Sequence, residues 1–414
     1  MDYLVGIDFC RDFTQLCIYN KDTGNVDSVP LSGDKQSTRI KTALTFSVDQ
    51  NDWLIYSPLH DSNPSMIVVD NLYDLMLKGE SITVNNEEYK PERIFSRFLR
   101  RLMFSVNREC TGRDIKGITV TVKKTYPELV KNLKDGLEYF GVSSDRCKIC
   151  DHIESFMYYV VMQDRDIWIS DVGLFSFDED EFVFYLLRFG RKQKPLSIVA
   201  ESTDYSDTVK YNMLKEEDDV RIKYAFENVC EILMHKQSVS AIYATGTGFD
   251  GTWADEILKK LSTGRRIFRG MNLFVKASAC VSKLFFEGGY EDYLVIGEDT
   301  LKSSISLRAV SHSELKEIPF GKIGQNYNEA GGSVEVILDN TNEIDFMLHN
   351  VLKKDSFCAI MTLDAMPVRK NKTNRFLVQV RFPSRNAAVV TVKDVGFGSI
   401  RETDYRIWEQ VINL

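Results

Sequence analysis

Three stretches of this sequence set glycine and an acid beside an apolar run: GIDFCRDFT (Gly6 to Thr14), DVGLFSFD (Asp171 to Asp178) and ATGTGFDG (Ala244 to Gly251). Glycine lets backbone N–H groups in a tight turn approach phosphate oxygens closely. An acid in each of two facing hairpins would repel a polyphosphate unless Mg²⁺ lay between them, and such ions are held by one or two carboxylates plus water and phosphate. The third stretch offers bare backbone to a nucleoside, with a helix N-terminus beside it. Strand–glycine turns are common singly, so the specific feature is the order and spacing of all three. The competing reading is that Asp8 and Asp171 merely cap turns. The phosphate reading requires Gly6, Gly173 and Gly246 to come together on one crevice, and separate sheets would remove its basis.

Other reactive types carry less. Cys147 and Cys150 form a CxxC with only His152 nearby, one ligand short of a zinc set. In a strand, residues three apart face opposite ways, so both read as buried thiols. Cys10 reads as a small buried hydrophobe at the cleft mouth, where a regulatory thiol is the alternative.

The elements that must position these residues follow from periodicity. YLVGIDF and LCIYN read as a hairpin, and ALTFSVD and WLIYS as short strands. Ile94, Phe95, Phe98, Leu99, Leu102 and Met103 recur at helical spacing over Pro91 to Val106, with proline in the first turn. GITVTV (Gly117 to Val122) is a strand, and a helix from Pro127 to Phe140 ends at Gly141. HIESFMYYVVM is helical, IWISDVG (Ile167 to Gly173) a buried strand and FVFYLLRF its partner. Helices are expected from Glu216 to His235, in TWADEILKKL and in NLFVKASACVSKLFF. After Gly288 and Gly289 come short strands, VEVILD, EIDFML, FCAIMTL, RFLVQVRF and AVVTVKD, which read as a β-sandwich with a boundary near residue 290. No internal sequence repeat is visible.

In its three turns the chain resembles the actin and DnaK-type heat-shock-chaperone ATPase superfamily, as a divergent branch. The first turn looks like the phosphate-1 loop, the second the phosphate-2 loop and the third the adenosine loop. NNEEYKPERIFSRFLRRL, GITVTVKKTYPELVKNLKDGLEYFGV, HIESFMYY and GMNLFVKASACVSKL resemble successive units of the chaperone ATPase domain. YLVIGEDTLKSSISL, RFLVQVRF and AAVVTVKD resemble its linker and peptide-binding β-sandwich. The resemblance implies an α/β two-lobed actin-like ATPase fold with ribonuclease-H-like lobes over about residues 1–290, lobe I about 1–165 and lobe II about 166–290. A C-terminal all-β sandwich occupies about 291–414. It also implies ATP or ADP with Mg²⁺. Asp8 and Asp171 would hold the metal, with Asp171, Glu154 and Asp178 catalytic, the last two orienting water. Thr14, Gly173 and Ser176 would meet phosphate, and Gly246, Thr247, Gly248 and Phe249 would flank adenosine.

Several positions depart from the family pattern. Cys10, Arg11 and Asp12 stand where that pattern has glycine and hydroxyls, and Leu174 and Phe175 stand in place of two glycines. Lys78 is the candidate for the lysine near the γ-phosphate. Little chain separates Pro195 from the helix at Glu216 for an adenine clamp, and no helical lid follows the last strands before Leu414. These departures point to a pseudo-ATPase more than a weak ATPase, with Phe175 filling the phosphate pocket. The expected protein is chaperone-like and binds a peptide or protein client through the β domain, where Met347 and Met361 offer adaptable surface. A catalytically inactive scaffold or a small-molecule kinase are the alternatives.

The totals bound these readings. At 414 residues, 43% hydrophobic and 27% charged, the chain suits several globular domains. A net charge of −8 gives no basic groove for nucleic acid, and RKQK from Arg191 to Lys194 is a solvated loop. No apolar run reaches the length of a membrane span. The acidic N-terminus lacks signal-peptide character. The expected location is cytoplasmic, with reduced thiols.

Overall fold

Fourteen residues from Pro91 carry a buried stripe, Ile94, Phe95, Phe98, Leu99, Leu102 and Met103, that meets the β-branched and aromatic face of the N-terminal strand through Ile7 and Phe9 in one core. The computed structural model describes residues 3–31, 38–107, 111–191, 194–215, 219–235, 237–353, 356–367, 369, 373–400 and 402–414. Its contacts divide it into two units, Met1–Tyr185 with Thr203–Glu291, and Leu186–Ser202 with Asp292–Leu414. The expected boundary near residue 290 thus has a counterpart at Glu291, but Leu186–Ser202, read as lobe II, belongs with the second unit.

The first half of the first unit runs β1 (Tyr3–Phe9), β2 (Phe13–Tyr19), β3 (Val26–Ser28), β4 (Arg39–Lys41), β5 (Leu44–Ser47), β6 (Asp52–Ile55), β7 (Met66–Val69), α1 (Leu72–Lys78), β8 (Ile82–Val84), β9 (Glu87–Tyr89), α2 (Pro91–Phe104), β10 (Ile115–Val122), α3 (Pro127–Phe140), β11 (Cys147–Asp151) and α4 (His152–Val161). Gly141 caps α3 in the left-handed region, at φ 104°. The main sheet has the order β11-β10-β1-β2-β3. β1 is antiparallel to β2 and parallel to β10, and β10 is parallel to β11.

The chain continues through β12 (Asp171–Phe177), β13 (Phe182–Gly190), β14 (Leu196–Asp204), α5 (Val220–Met234), β15 (Val239–Thr245), α6 (Asp255–Leu261), β16 (Arg266–Arg269) and α7 (Leu273–Glu287). The order is β16-β15-β12-β13, and past Tyr185 β13 continues into the second unit, where β14 and then β17 (Tyr293–Ile296) follow. β12 is parallel to β15 and β15 to β16. Numbered in order of appearance, each sheet contains the run 5-4-1-2-3, with β4 beside β2 in the first and β17 as a sixth strand in the second. The start of the helix expected from Glu216 lies outside the described residues, as do Lys192 and Gln193 of RKQK and the two residues that open the chain.

One strand departs from expectation. The apolar pair Ile167 and Trp168 sits in a turn, where Ile167 N–H donates to Asp164 O at 2.9 Å. The strand starts at Asp171 instead and runs to Phe177. The polar residues Gln163 to Asp166 break the run before the sheet begins, so the whole segment shifts toward the C-terminus by about four residues.

Helix α7 lies on the face of the first sheet opposite α2, and small residues make the approach possible. A Cβ on Gly6 would stand 2.3 Å from Ala279 N and 2.5 Å from Ser278 Oγ. Ser282 Oγ donates to Val5 O at 2.6 Å. Because backbone cannot yield as a flexible side chain can, Gly6→Ala is expected to destabilise the protein by about 1–3 kcal/mol or more. Chemical denaturation of wild type and variant measures this.

The second unit adds β18 (Ser303–Ser311), β19 (Glu314–Gly321), β20 (Gly332–Leu338), β21 (Glu343–Asn350), β22 (Phe357–Thr362), β23 (Asn374–Ser384), β24 (Ala387–Asp394) and β25 (Ile407–Asn413). Two antiparallel sheets, β19-β18-β21-β22 and β20-β23-β24-β25, share one core that includes Leu307, Phe346, Phe376, Val378 and Val390. Asp394, fully buried, receives both arms of Arg369 at 2.7 and 2.6 Å and the N–H groups of Asp404 and Gly396 at 2.8 and 3.2 Å. Burial alone would raise its pKa, but the guanidinium and the N–H donors outweigh it and hold the carboxyl well below the usual carboxylate range. A lowered folded pKa stabilises the protein above the unfolded value, about 3.9, and that stability is lost as pH falls through the folded one. Arg369→Met should cost about 3–5 kcal/mol at neutral pH, because the carboxylate is left without its cation. It should also flatten the acid limb of the stability–pH curve, read by urea melts from pH 7 downward.

Candidate functional site

Asp8 is the penultimate residue of β1, and alternation turns it to the face that carries Gly6. It is 2% exposed, so its carboxylate needs a partner. His152, the first residue of α4, supplies one: its Nε2 lies 2.8 Å from Asp8 Oδ1. The imidazole is held by Phe274 of α7, whose ring stacks on it at 3.9 Å and 11°. Cys10 follows two residues after Asp8, its Sγ 3.4 Å from Asp8 Oδ1 and 3.7 Å from His152 Nε2. Burial first, and then the charge of Asp8, pushes the Cys10 thiol well above its ordinary pKa, so it stays protonated at neutral pH. Gln15 of β2 stands directly opposite Asp8 on the same face, 2% exposed, and its Oε1 has no hydrogen-bond partner among the described residues.

The turn between β1 and β2 is closed by Cys10 N–H donating to Phe13 O at 3.0 Å, and that between β12 and β13 by Asp178 N–H donating to Glu181 O at 3.0 Å. Asp178 Oδ1 accepts from Thr247 N at 3.0 Å, which ties the second turn to the third, and its charge reaches Cys10 in the first. Lys123, just past β10, spans to the second turn, with Nζ 2.8 Å from Asp180 Oδ1 and 3.1 Å from Glu181 Oε1. Desolvation would lift the Asp180 pKa, but the hydrogen bond and charge of Lys123 outweigh it and lower the pKa.

The second and third turns are tied to each other, but the three glycines do not come together on one sheet as the phosphate reading requires. Gly6 lies within β1, in the first sheet, whereas Gly173 lies within β12 and Gly246 follows β15, both strands of the second. Each of these glycines accommodates protein: a Cβ on Gly173 would meet Phe184 at 2.9 Å, and one on Gly246 would meet Phe177 O at 2.2 Å. Asp171 opens β12 opposite Val239, roughly 20 Å of extended strand away from the turn at Asp178. It is not placed to share a metal ion with Asp8.

The other expected residues are engaged as well. Thr14 Oγ1 meets Thr42 Oγ1 at 2.8 Å, and Ser176 is buried in β12 opposite Thr245. Glu154 pairs with Lys148 at 2.9 Å. Gly248 backs onto the Phe177 ring, where a Cβ would fall 2.2 Å away, and its carbonyl accepts from Trp253 Nε1 at 2.9 Å. Phe249 is buried and stacks on Trp253. Phe175 fills no phosphate pocket: it is a core residue against Phe182, Phe184 and Phe226. Lys78 ends α1 and pairs with Glu80. Cys147 and Cys150 are buried, and burial raises both thiol pKa values.

Mg²⁺-nucleotide does not fit these residues as the resemblance placed it. The two metal carboxylates are apart, His152 holds Asp8, and Phe177 covers the backbone meant for adenosine. The residues that sequence reasoning missed as partners are His152 and Lys123. His152 heads the helix that follows β11, two strands across from β1, and nothing local in the sequence ties it to Asp8.

Residues 25–298 match the family described as family of unknown function (DUF5716) C-terminal, and the chain belongs to that family. Residues 300–414 match a domain of unknown function (DUF8552). No curated protein matches the chain. Among the described residues, no helix is long and apolar enough to cross a membrane.

Asp151 ends β11 and immediately precedes His152. Its side chain caps α4, accepting from Glu154 N at 2.7 Å. Burial, and then the charge of Glu154, pushes its pKa up to about 6. A raised carboxyl pKa means that the folded state binds more protons than the unfolded between about pH 4 and 6, so stability falls as pH rises through that window. Asn preserves the cap without the charge. Asp151→Asn is expected to stabilise the protein by about 1–2 kcal/mol at pH 7.5 and to make little difference at pH 4, measured by paired urea melts.

Proposed function

We propose that this is a chaperone-like protein of the actin/DnaK superfamily, cytoplasmic, whose nucleotide crevice has become a structural joint. Its β-sandwich would bind an extended peptide or protein segment. The observation that carries the reading is how the charged groups of the turns are used: Asp178 ties the second turn to the third, and side chains of the chain itself meet the acids of the first two, although Gly6 stands on a different sheet from Gly173 and Gly246. Lys123 neutralises Asp180 and Glu181 where metal and phosphate would otherwise bridge the turns, and His152 meets Asp8. The repeated 5-4-1-2-3 strand order supports an actin-like pair of lobes.

For the sandwich, the support lies in its edges. β25 pairs on one side with β24 and carries Ile407 and Val411, 59% and 58% exposed. β22 at the edge of the other sheet carries Phe357 and Ile360, 41% and 51% exposed. An edge strand with outward apolar side chains suits an added strand, which gains main-chain hydrogen bonds and side-chain contacts together.

The test is thermal denaturation of the full chain with saturating Mg-ATP, paired with peptide-affinity measurements. The Tm should not move, and affinity for an extended apolar peptide should be the same with and without nucleotide. Binding with ligand at about 100 times Kd would add roughly 2.7 kcal/mol and lift the Tm by several degrees, which would overturn the reading.

A further inference from the structure

Asp8, Cys10 and His152 contribute an oxygen, a sulfur and a nitrogen that lie within 4.8 Å of one another. We propose that Asp8 Oδ1, Cys10 Sγ and His152 Nε2 are three ligands of a zinc-class divalent cation, with Gln15 Oε1 or a water in the fourth position. The inference is independent of whether the crevice ever held nucleotide.

The distances carry the argument. A tetrahedral zinc ion spaces a thiolate sulfur about 3.6 Å from its nitrogen and oxygen ligands, and those two about 3.3 Å from each other. Here the sulfur lies 3.7 Å from nitrogen and 3.4 Å from oxygen, and nitrogen and oxygen are 2.8 Å apart. Only the last pair must open, by about half an ångström, as a hydrogen bond gives way to a shared metal.

Both contacts fall on the same imidazole nitrogen. A Cys–His–Asp relay would need the thiol on one ring nitrogen and the carboxylate on the other. Convergence on Nε2 is the arrangement of ligands around one centre. The charges also balance, since one carboxylate and one thiolate neutralise a divalent cation in a buried setting. A thiolate and an imidazole select zinc-class ions over Mg²⁺. Gln15 Oε1, buried and unpartnered beside Asp8, is the polar atom that hydrogen bonding in the site leaves unexplained. Phe274 fixes the ring plane before any metal arrives.

As the sulfur–metal bond forms, Cys10 gives up its S–H proton to solvent, and the proton that His152 Nε2 shares with Asp8 passes through solvent to Nδ1, which frees the Nε2 lone pair for the metal and leaves one proton released in all. The test uses the full chain, stripped with chelator, titrated first with Co²⁺ and then with Zn²⁺. Expected are a saturable one-to-one thiolate-to-cobalt charge-transfer band, strong ligand-field bands of tetrahedral coordination, bleaching by Zn²⁺ and release of about one proton per metal at neutral pH. Cys10→Ser should abolish the charge-transfer band and weaken zinc binding at least tenfold, as should His152→Ala. The double variant C147S/C150S should keep both. If His152→Ala does not fold, Cys10→Ser, a one-atom change, decides alone. A titration without a saturable band, a band that survives Cys10→Ser, or one lost in C147S/C150S overturns the proposal.

Discussion

A carboxylate that is 2% exposed at the end of β1 sets the terms for the rest of the first unit. Ionised and unpaired, it would cost several kcal/mol. Its compensation comes from His152, 144 residues away in sequence, so the head of α4 must sit against the end of β1. That places β11 beside β10, since Asp151 ends the one strand and pairs with Val122 at the end of the other. Phe274, stacked on the same imidazole, draws the start of α7 to this point. The rest of α7 then lies along the sheet only because Gly6 and Gly117 leave it room.

Much of this frame was legible in the sequence. Pro127 and Gly141 bracket α3 because proline suits a first helical turn and glycine a left-handed cap, both local effects. The hairpin of β1 and β2, the buried stripe of α2 and β20 to β24 of the sandwich were also visible as periodicity, whereas β18, β19 and β25 were not read as strands. The register of β12 was not. Ile167 and Trp168 looked like strand because they are apolar, but a loop can bury them, and pattern alone does not separate the two cases. That shift moved Asp171 from a turn to the far end of a strand and undid half of the expected metal site. Partnerships such as Asp8 with His152 or Lys123 with Asp180 leave no mark in a single chain, because both depend on how strands already formed are stacked.

The two halves of the first unit lay four strands in a matching order, β11-β10-β1-β2 and β16-β15-β12-β13, without any visible sequence repeat, and their glycines are used alike. In a site that grips phosphate, a glycine is needed where backbone must face a ligand. Here Gly6, Gly173, Gly246 and Gly248 face α7, Phe184 and Phe177. At each of these faces the room that a side chain would take is filled by the protein itself, by aromatic rings or helix backbone, so a ligand placed there would cost the packing they provide. The charges are met in the same way, since Lys123 pairs with Asp180 and Glu181. The exception is the corner formed by Asp8, Cys10 and His152, where three donors of different kind still converge and the neighbouring amide oxygen of Gln15 has nothing to accept from. A joint built only for rigidity has no need of such a corner, since an apolar residue at each position would hold it at lower desolvation cost.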